Sequence, residues 1–330
     1  MESVLYEALG ELSIQQIERP QLAANEVLVQ TKASGVCHTD IDVLYGRYGN
    51  STFPLVPGHE YAGVIAELGS EVSNLSVGDR VVVDPNFSCG HCPACAKGLT
   101  NLCDTLGAYG VTRHGGFAEF SAVAAENVVP VGDMDFSLAA LAEPMGCVLN
   151  GVGAIGTEGV KTAMIFGAGP IGLLMAIALQ TKGIDDIAMV DLDESRLERA
   201  EAMGFTPIAS GSDELEQRRQ RVDLVVDATG VAAVAESLIN YAANGGKVLF
   251  FGVCSPDVKI NVSPFEIFRR QITLAGAHSL NHNLPEALAA IRGFGDNIKQ
   301  VISHQVPLAD IPTFLGKNKP EQTLKVQAIW

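Results

Sequence analysis

The chain has 330 residues, 47% hydrophobic and 18% charged, with 38 acidic against 22 basic side chains and a formal charge of -16. At a mean hydropathy of +0.22 and a pI near 4.8, it carries enough apolar material for about two domains, which excludes a disordered or collagen-like chain. So acidic a surface repels phosphate backbones and anionic lipid, which argues against nucleic-acid and membrane-surface binding. The opening MESVLYEALGEL lacks the basic-then-apolar pattern of a signal peptide, so a cytoplasmic protein is expected.

In chain order, residues 26–31 (EVLVQT), 61–68 (YAGVIAEL) and 80–84 (RVVVD) are short β-branched runs between turn signals and read as strands. From about residue 150 the pattern changes. Residues 162–166 read as strand, 171–181 as helix, 187–190 as strand and 194–203 (ESRLERAEAM) as an amphipathic helix. Residues 224–227, 247–251 and 272–275 are further buried strands, so the alternation predicts an α/β fold with a parallel, doubly wound sheet. After Leu284 come an Ala-rich helix, residues 301–307, and a last strand near 324–329. The apolar run 163–179 approaches membrane-span length, but Gly167, Gly169, Pro170 and Gly172 interrupt it. A buried strand, a glycine turn and a buried helix in series account for it better.

That turn is Gly167-Ala-Gly169-Pro170-Ile171-Gly172, a G-x-G-x-x-G between strand and helix, with Asp191 ending the next strand about 20 residues on. Gly167 permits the tight turn, Gly169 lets a pyrophosphate approach the backbone, and Gly172 lets helix pack on strand. The helix N-terminus offers unpaired N–H groups to the phosphates, and Asp191 can accept the ribose hydroxyls of an adenosine half. Dinucleotide binding follows.

Seven cysteines, four of them at Cys89, Cys92, Cys95 and Cys103, read as metal binding rather than as a disulfide framework. Four thiolates at this spacing suit a tetrahedral structural zinc. A bacterial ferredoxin run would place its fourth Cys three residues on, before Pro, whereas Cys103 precedes Asp104. In the lobe 85–106, Phe87, Leu99 and Leu102 are the main apolar side chains available to bury. Cys37, His59 and Glu143 form a second, dispersed set; one thiolate, one imidazole and one carboxylate would leave a coordination position open, as in a catalytic zinc site. Taken singly they read as core, hydrogen bonder and helix cap, and spacing alone does not join them.

The segments GVCHTD, GHEYAG, the four-cysteine lobe, AEPM, GAGPIG and DATG occur in this order over most of the chain. In them the chain resembles the zinc-dependent medium-chain dehydrogenase/reductase family, closest in pattern to its polyol (sorbitol) branch. The resemblance implies a β-rich GroES-like catalytic domain, residues 1–150 plus 285–330, and an inserted Rossmann domain, residues 151–284. It implies Cys37, His59 and Glu143 as catalytic zinc ligands, with Glu60 beside the metal as a neighbour or an exchangeable ligand, and Asp40 orienting the His59 ring. Asp191 and Arg196 resemble the adenosine-ribose contacts, and Gly252, Val253 and His278 fall where backbone meets nicotinamide. Two zinc ions per chain, NAD, an alcohol substrate and a homo-oligomer, tetramer rather than dimer, are implied.

The implied reaction is reversible oxidation of a polyol or other secondary alcohol, the metal acting as a Lewis acid and the hydride passing to nicotinamide. Thr39 resembles the hydroxyl that takes the alcohol proton. Many relatives carry His five residues after the zinc Cys, where this chain has Asp42, and sorbitol dehydrogenases place an Arg near the position of Ser279. A threonine or simple-alcohol dehydrogenase, and a zinc- and nucleotide-binding protein without turnover, are the alternatives.

Overall fold

The computed structural model describes residues 1–316, 320 and 322–330. Its chain divides into two compact units. Unit 1 comprises Met1–Pro144, Leu280–Ile291 and Ile302–Trp330, and unit 2 comprises Met145–Ser279 and Arg292–Val301. The divisions thus fall at 144/145 and 279/280 where 150 and 285 were expected, and residues 292–301 belong to unit 2. Residues 317–319 and 321 of the expected range 285–330 lie outside the described residues.

Unit 2 is a six-stranded sheet in the order Thr206–Ala209, Asp186–Asp191, Thr162–Phe166, Val222–Asp227, Ala242–Phe250 and Thr273–Gly276. Every pairing is parallel. By position in the chain the order is 3-2-1-4-5-6, a doubly wound Rossmann sheet with its direction of winding reversing beside Thr162–Phe166. That strand is a continuous apolar run because helices cover both faces of such a sheet. The helix Pro170–Thr181 begins with Pro at its first turn, where a missing N–H costs nothing, and buries every residue from Gly172 to Leu179. The run 163–179 therefore resolves into strand, turn and core helix. The helical stretch Phe136–Ile155 is also long and apolar enough to span a bilayer by composition, and 72% of its most apolar window is buried in the protein.

Unit 1 is a mainly antiparallel sheet in the order Ile302–Val306, Lys325–Ile329, Glu26–Gly35, Glu60–Leu68, Arg80–Val83 and Val128–Pro130. Phe120–Ala124 also pairs with Glu26–Gly35. The central strand is buried on both faces and carries two irregularities against Glu60–Leu68, which bend it and deepen its twist. Inside lie Val27, Val29, Tyr61, Ile65, Val81 and Val123. A second cluster, including Tyr6, Val43, Leu44, Phe117, Phe314 and Val326, packs around the short helix His38–Leu44. The last strand reaches Glu26–Gly35 at Ala33, Ser34 and Gly35, so a segment that follows all of unit 2 in the chain completes unit 1.

Candidate active site

Asp40 organises one end of unit 1. Its side chain is fully buried and reaches back over the first turn of its helix, Oδ2 accepting from the backbone N–H of Cys37 at 2.8 Å. Oδ1 accepts from Gly58 N at 3.2 Å and faces His59 Nδ1 at 3.2 Å. One carboxylate thus fixes both the Cys37 and the His59 segments. With Nδ1–H donated to Asp40, the His59 ring turns its Nε2 lone pair outward, the state a metal ligand requires. Burial lowers the His59 pKa, but the charge and hydrogen bond of Asp40, helped by Cys37, prevail and raise it well above the usual range, so a metal ion taking Nε2 displaces a proton there.

The ligand atoms of Cys37, His59 and Glu60 all lie within 4.8 Å of one another. Glu143, in the first turn of Ala142–Ile155 and 5% exposed, is not a member of that mutually close set. Glu60 is gripped from the other side by Lys325, whose Nζ donates to Oε1 at 2.7 Å, to Oε2 at 2.8 Å and to the carbonyl of Val36 at 3.1 Å. Gly35 makes room for this pair, since a Cβ there would overlap the Glu60 carboxylate. Burial lowers the Lys325 pKa, yet the charges of Glu60, Cys37 and Glu143 raise it on balance. Neither Lys325 nor this use of Asp40 on Gly58 was anticipated. The one sequence signal for Lys325 is a lone cation inside the apolar strand LKVQAI.

Thr39 Oγ1 lies 3.7 Å from Cys37 Sγ. Asp42 is held by Arg47 at 2.9 Å and has His38 Nε2 at 3.7 Å. An imidazole therefore stands beside Asp42, supplied by the residue next to Cys37.

None of the seven cysteines forms a disulfide, and Cys89, Cys92, Cys95 and Cys103 bring their sulfurs within 4.8 Å of one another. Four sulfurs at about 2.3 Å from one ion stand about 3.8 Å apart, so the set fits tetrahedral zinc. Backbone donors already point at the sulfurs: Cys89 N and Thr105 N to Cys103 Sγ at 3.3 and 3.4 Å, and Cys92 N to Cys89 Sγ at 3.4 Å. Cys89 N first, and then Thr105 N, bring the Cys103 thiol down to about 6. Leu99 and Leu102, two of the few apolar side chains that the lobe has available to bury, are 42% and 49% exposed. Instead the lobe is tied by polar contacts: Thr100 Oγ1 meets Asn281 Oδ1 at 2.8 Å and His282 Nε2 at 2.9 Å, and Asn281 Nδ2 donates to Gly98 O at 2.9 Å.

In unit 2 the glycine turn lies at the carboxyl end of Thr162–Phe166, where ligands of doubly wound sheets bind. Gly167 has φ +104°, and a Cβ at Gly172 would collide with the Gly167 carbonyl. Gly169 has open space, the nearest atom to a Cβ there being Arg196 Nη1 at 3.9 Å, so the backbone can be approached closely. Pro170 and Ile171 begin the helix, both partly exposed. Asp191 Oδ2 accepts from Ala168 N at 2.7 Å and lies 3.7 Å from Arg196. Asp193 caps the next helix by accepting from Ser195 N at 2.9 Å. Gly252 and Val253 follow the strand Ala242–Phe250, Gly252 N donating to Asp227 O at 2.8 Å. The carbonyls of His278 and Ser279 are held by Asn150 Nδ2 at 3.2 and 2.8 Å.

The chain matches the alcohol dehydrogenase GroES-like domain over residues 23–133 and the zinc-binding dehydrogenase family over residues 170–292. It is 50% identical over 332 residues to the D-altritol 5-dehydrogenase of Agrobacterium fabrum (strain C58), covering 99% of each chain. It is 30% identical over 336 residues to D-arabinitol dehydrogenase 1 of Uromyces fabae, covering 99% of this chain and 96% of that one. Among solved structures it is similar to a zinc-binding dehydrogenase of Sinorhizobium meliloti 1021 bound to NADP, at 30% identity and TM-score 0.95 over 100% of this chain and 99% of that one. A second is an alcohol dehydrogenase of Escherichia coli CFT073 complexed with NADH, at 26% identity and TM-score 0.91 over 100% and 99%. Fold, thiolate and imidazole sets, glycine turn and these likenesses agree, and the chain belongs to the zinc-dependent medium-chain dehydrogenase/reductase family as an alcohol-oxidising enzyme.

Proposed function

We propose that the chain oxidises a secondary hydroxyl of an acyclic polyol to the ketone, reversibly, with NAD as acceptor and two zinc ions per chain, as a cytoplasmic homo-oligomer. The observation that carries the substrate class is the 50% identity, end to end, with an enzyme that acts on D-altritol. Cys37, His59 and Glu143 would hold the catalytic ion, with Glu60 beside it as a neighbour or an exchangeable ligand, and Cys89, Cys92, Cys95 and Cys103 would hold the structural one. When bound, the catalytic ion supplies Lewis acidity toward an alcohol oxygen, and the dinucleotide accepts the hydride.

The protein's own residues do the rest. Asp40 keeps the His59 ring in one orientation and tautomer. The Thr39 hydroxyl, within 3.7 Å of Cys37 Sγ, takes the substrate proton. Asp42 and His38 form the outward end of that path. Asp191 and Arg196 hold the adenosine half, the turn at Gly167 to Gly172 holds the phosphates, and Gly252, Val253 and His278 meet the nicotinamide. Seven cysteines without a disulfide among them suit a reducing compartment. Self-association is supported by the outermost strand of unit 2, Thr273–Gly276, which leaves an edge open beside exposed Phe265, Phe268 and Leu274.

The test is a substrate panel of D-altritol, D-arabinitol, sorbitol, L-threonine and ethanol, with the formation of reduced nicotinamide as readout. The expected result is the highest kcat/KM for a C5 or C6 polyol. Faster turnover of L-threonine or ethanol would overturn the substrate class, and saturable NAD binding with no reduction by any of them would overturn the assignment of turnover.

A further inference from the structure

Lys325 and Glu60 form an ion pair with side chains 4% and 1% exposed. Replacing such a pair by apolar residues is often neutral or stabilising, so stability gives a weak reason for it. Its location supplies a stronger one. All three ammonium protons are used, two on the Glu60 carboxylate and one on the carbonyl of Val36, the residue before Cys37. A thiolate at Cys37 and a carboxylate at Glu143 together balance a divalent ion. Glu60 is then a surplus anion whose ligand atom lies within 4.8 Å of those of Cys37 and His59, close enough to compete for the coordination position that substrate needs. Among the described residues, Lys325 is the buried cation that meets both of its oxygens.

We propose that Lys325 is a positioning residue that holds the Glu60 carboxylate away from the catalytic metal, keeping a coordination position free for the substrate oxygen. Three features support it. The grip is bidentate, which fixes the carboxylate plane rather than only its charge. Gly35 provides the space in which the carboxylate sits, so that the held-back position is built into the strand beside it. The contact to Val36 O references the ammonium to the backbone that carries Cys37. The inference rests on the proposed metal set.

The experiment compares wild type with Lys325→Met, Lys325→Arg, Glu60→Gln and the double variant Lys325→Met/Glu60→Gln. Elemental analysis of the wild type comes first: absence of a second zinc ion beyond the four-cysteine site overturns the metal set itself, and its presence leaves only the role of Lys325 in question. The readout is the rate at which an excess of chelator removes the second ion. Freed from its partner, Glu60 adds a charged ligand, so Lys325→Met is expected to release the ion about tenfold more slowly while kcat falls, on the 10- to 100-fold scale of residues supporting a metal site. Lys325→Arg should resemble wild type, and the double variant should return to the wild-type release rate. A Lys325→Met protein that releases the ion at or above the wild-type rate would show a merely structural pair and overturn the proposal. If that variant does not fold, Glu60→Gln decides: release at the wild-type rate supports a withheld carboxylate, and release tenfold faster shows that Glu60 is a ligand despite Lys325.

Discussion

Asp191 accepts three backbone N–H groups, from Ala168 at 2.7 Å, Leu192 at 2.8 Å and Asp193 at 3.0 Å, so its position is fixed before any dinucleotide arrives. A carboxylate held there accepts the 2′-hydroxyl of NAD and repels the 2′-phosphate of NADP. At about 4 Å and an effective dielectric of about 20, two unit charges cost about 4 kcal/mol. Arg196, 3.7 Å from Asp191 and 3.8 Å from Asp193, and the surrounding water reduce that to about 1.5–2.5 kcal/mol, which is roughly 10- to 70-fold. The ratio of kcat/KM for NAD over NADP, with one saturating polyol, is expected in that range. Asp191→Ser should bring it close to unity. A wild-type preference for NADP, the cofactor found on the Sinorhizobium relative, would place Arg196 in command of the site.

Among the elements, the four-cysteine lobe has little regular structure to hold it. Its secondary structure amounts to two three-residue turns, Cys95–Lys97 and Thr100–Leu102, and its root to the two-residue strands Asn86–Phe87 and Gly107–Ala108. With both leucines exposed, a structural metal is the one term large enough to offset ordering about twenty residues at ~1–2 kcal/mol each. Cys103→Ser should therefore lose one zinc ion and open the lobe. Every ~1.4 kcal/mol of lost local stability multiplies the opened population tenfold, so limited proteolysis should cut within 85–106 at least about tenfold faster. Cys37→Ser should lose the other ion, turn over no substrate, and resist protease as the wild type does. Equal cutting of the two variants would refute the distinction.

The same lobe shows what a sequence makes legible. Four sulfurs within fifteen positions, or three glycines within six, are constrained by geometry local to the chain, and such spacing can be read directly. Buried parallel strands are also legible: residues 162–166 were expected and Thr162–Phe166 is found, while the expected 187–190 and 224–227 lie inside Asp186–Asp191 and Val222–Asp227. Thr206–Ala209 escaped notice because an edge strand with Pro207 and exposed ends carries little apolar pattern. The grip of Lys325 on Glu60 spans 265 positions, and no periodicity reports a contact between strands so far apart. Joining Cys37 to His59 needed family resemblance, although in the structure Asp40 makes the connection by itself.

At the scale of the whole molecule, the Rossmann sheet ends on one side in Thr273–Gly276, whose residues are exposed or half-buried throughout. Soluble proteins blunt such edges or pair them. This one has Leu274 on the strand at 37% exposure, with Phe265 at 63% and Phe268 at 80% on the helix Pro264–Arg270. A second copy of the chain would extend the sheet and cover these side chains. Sedimentation at micromolar concentration should show a dimer or larger, and Leu274→Lys with Phe268→Glu should yield a folded monomer. A monomeric wild type would rule the edge out as an interface.

Because Lys325–Ile329 follows every residue of unit 2 in the chain, the order of synthesis imposes an order of assembly. A nascent chain carries Cys37, Asp40, His59, Glu60 and Glu143 from its first half, an acidic pocket with no ammonium to meet it. The central strand Glu26–Gly35 meanwhile lacks its partner at Ala33, Ser34 and Gly35. Translation must pass through the whole nucleotide-binding half before that pocket is neutralised and that strand is paired. A ribosome that stalls or shifts frame anywhere in between leaves a chain with an open β-edge and uncompensated buried acids, the kind of product that chaperones retain and proteases remove.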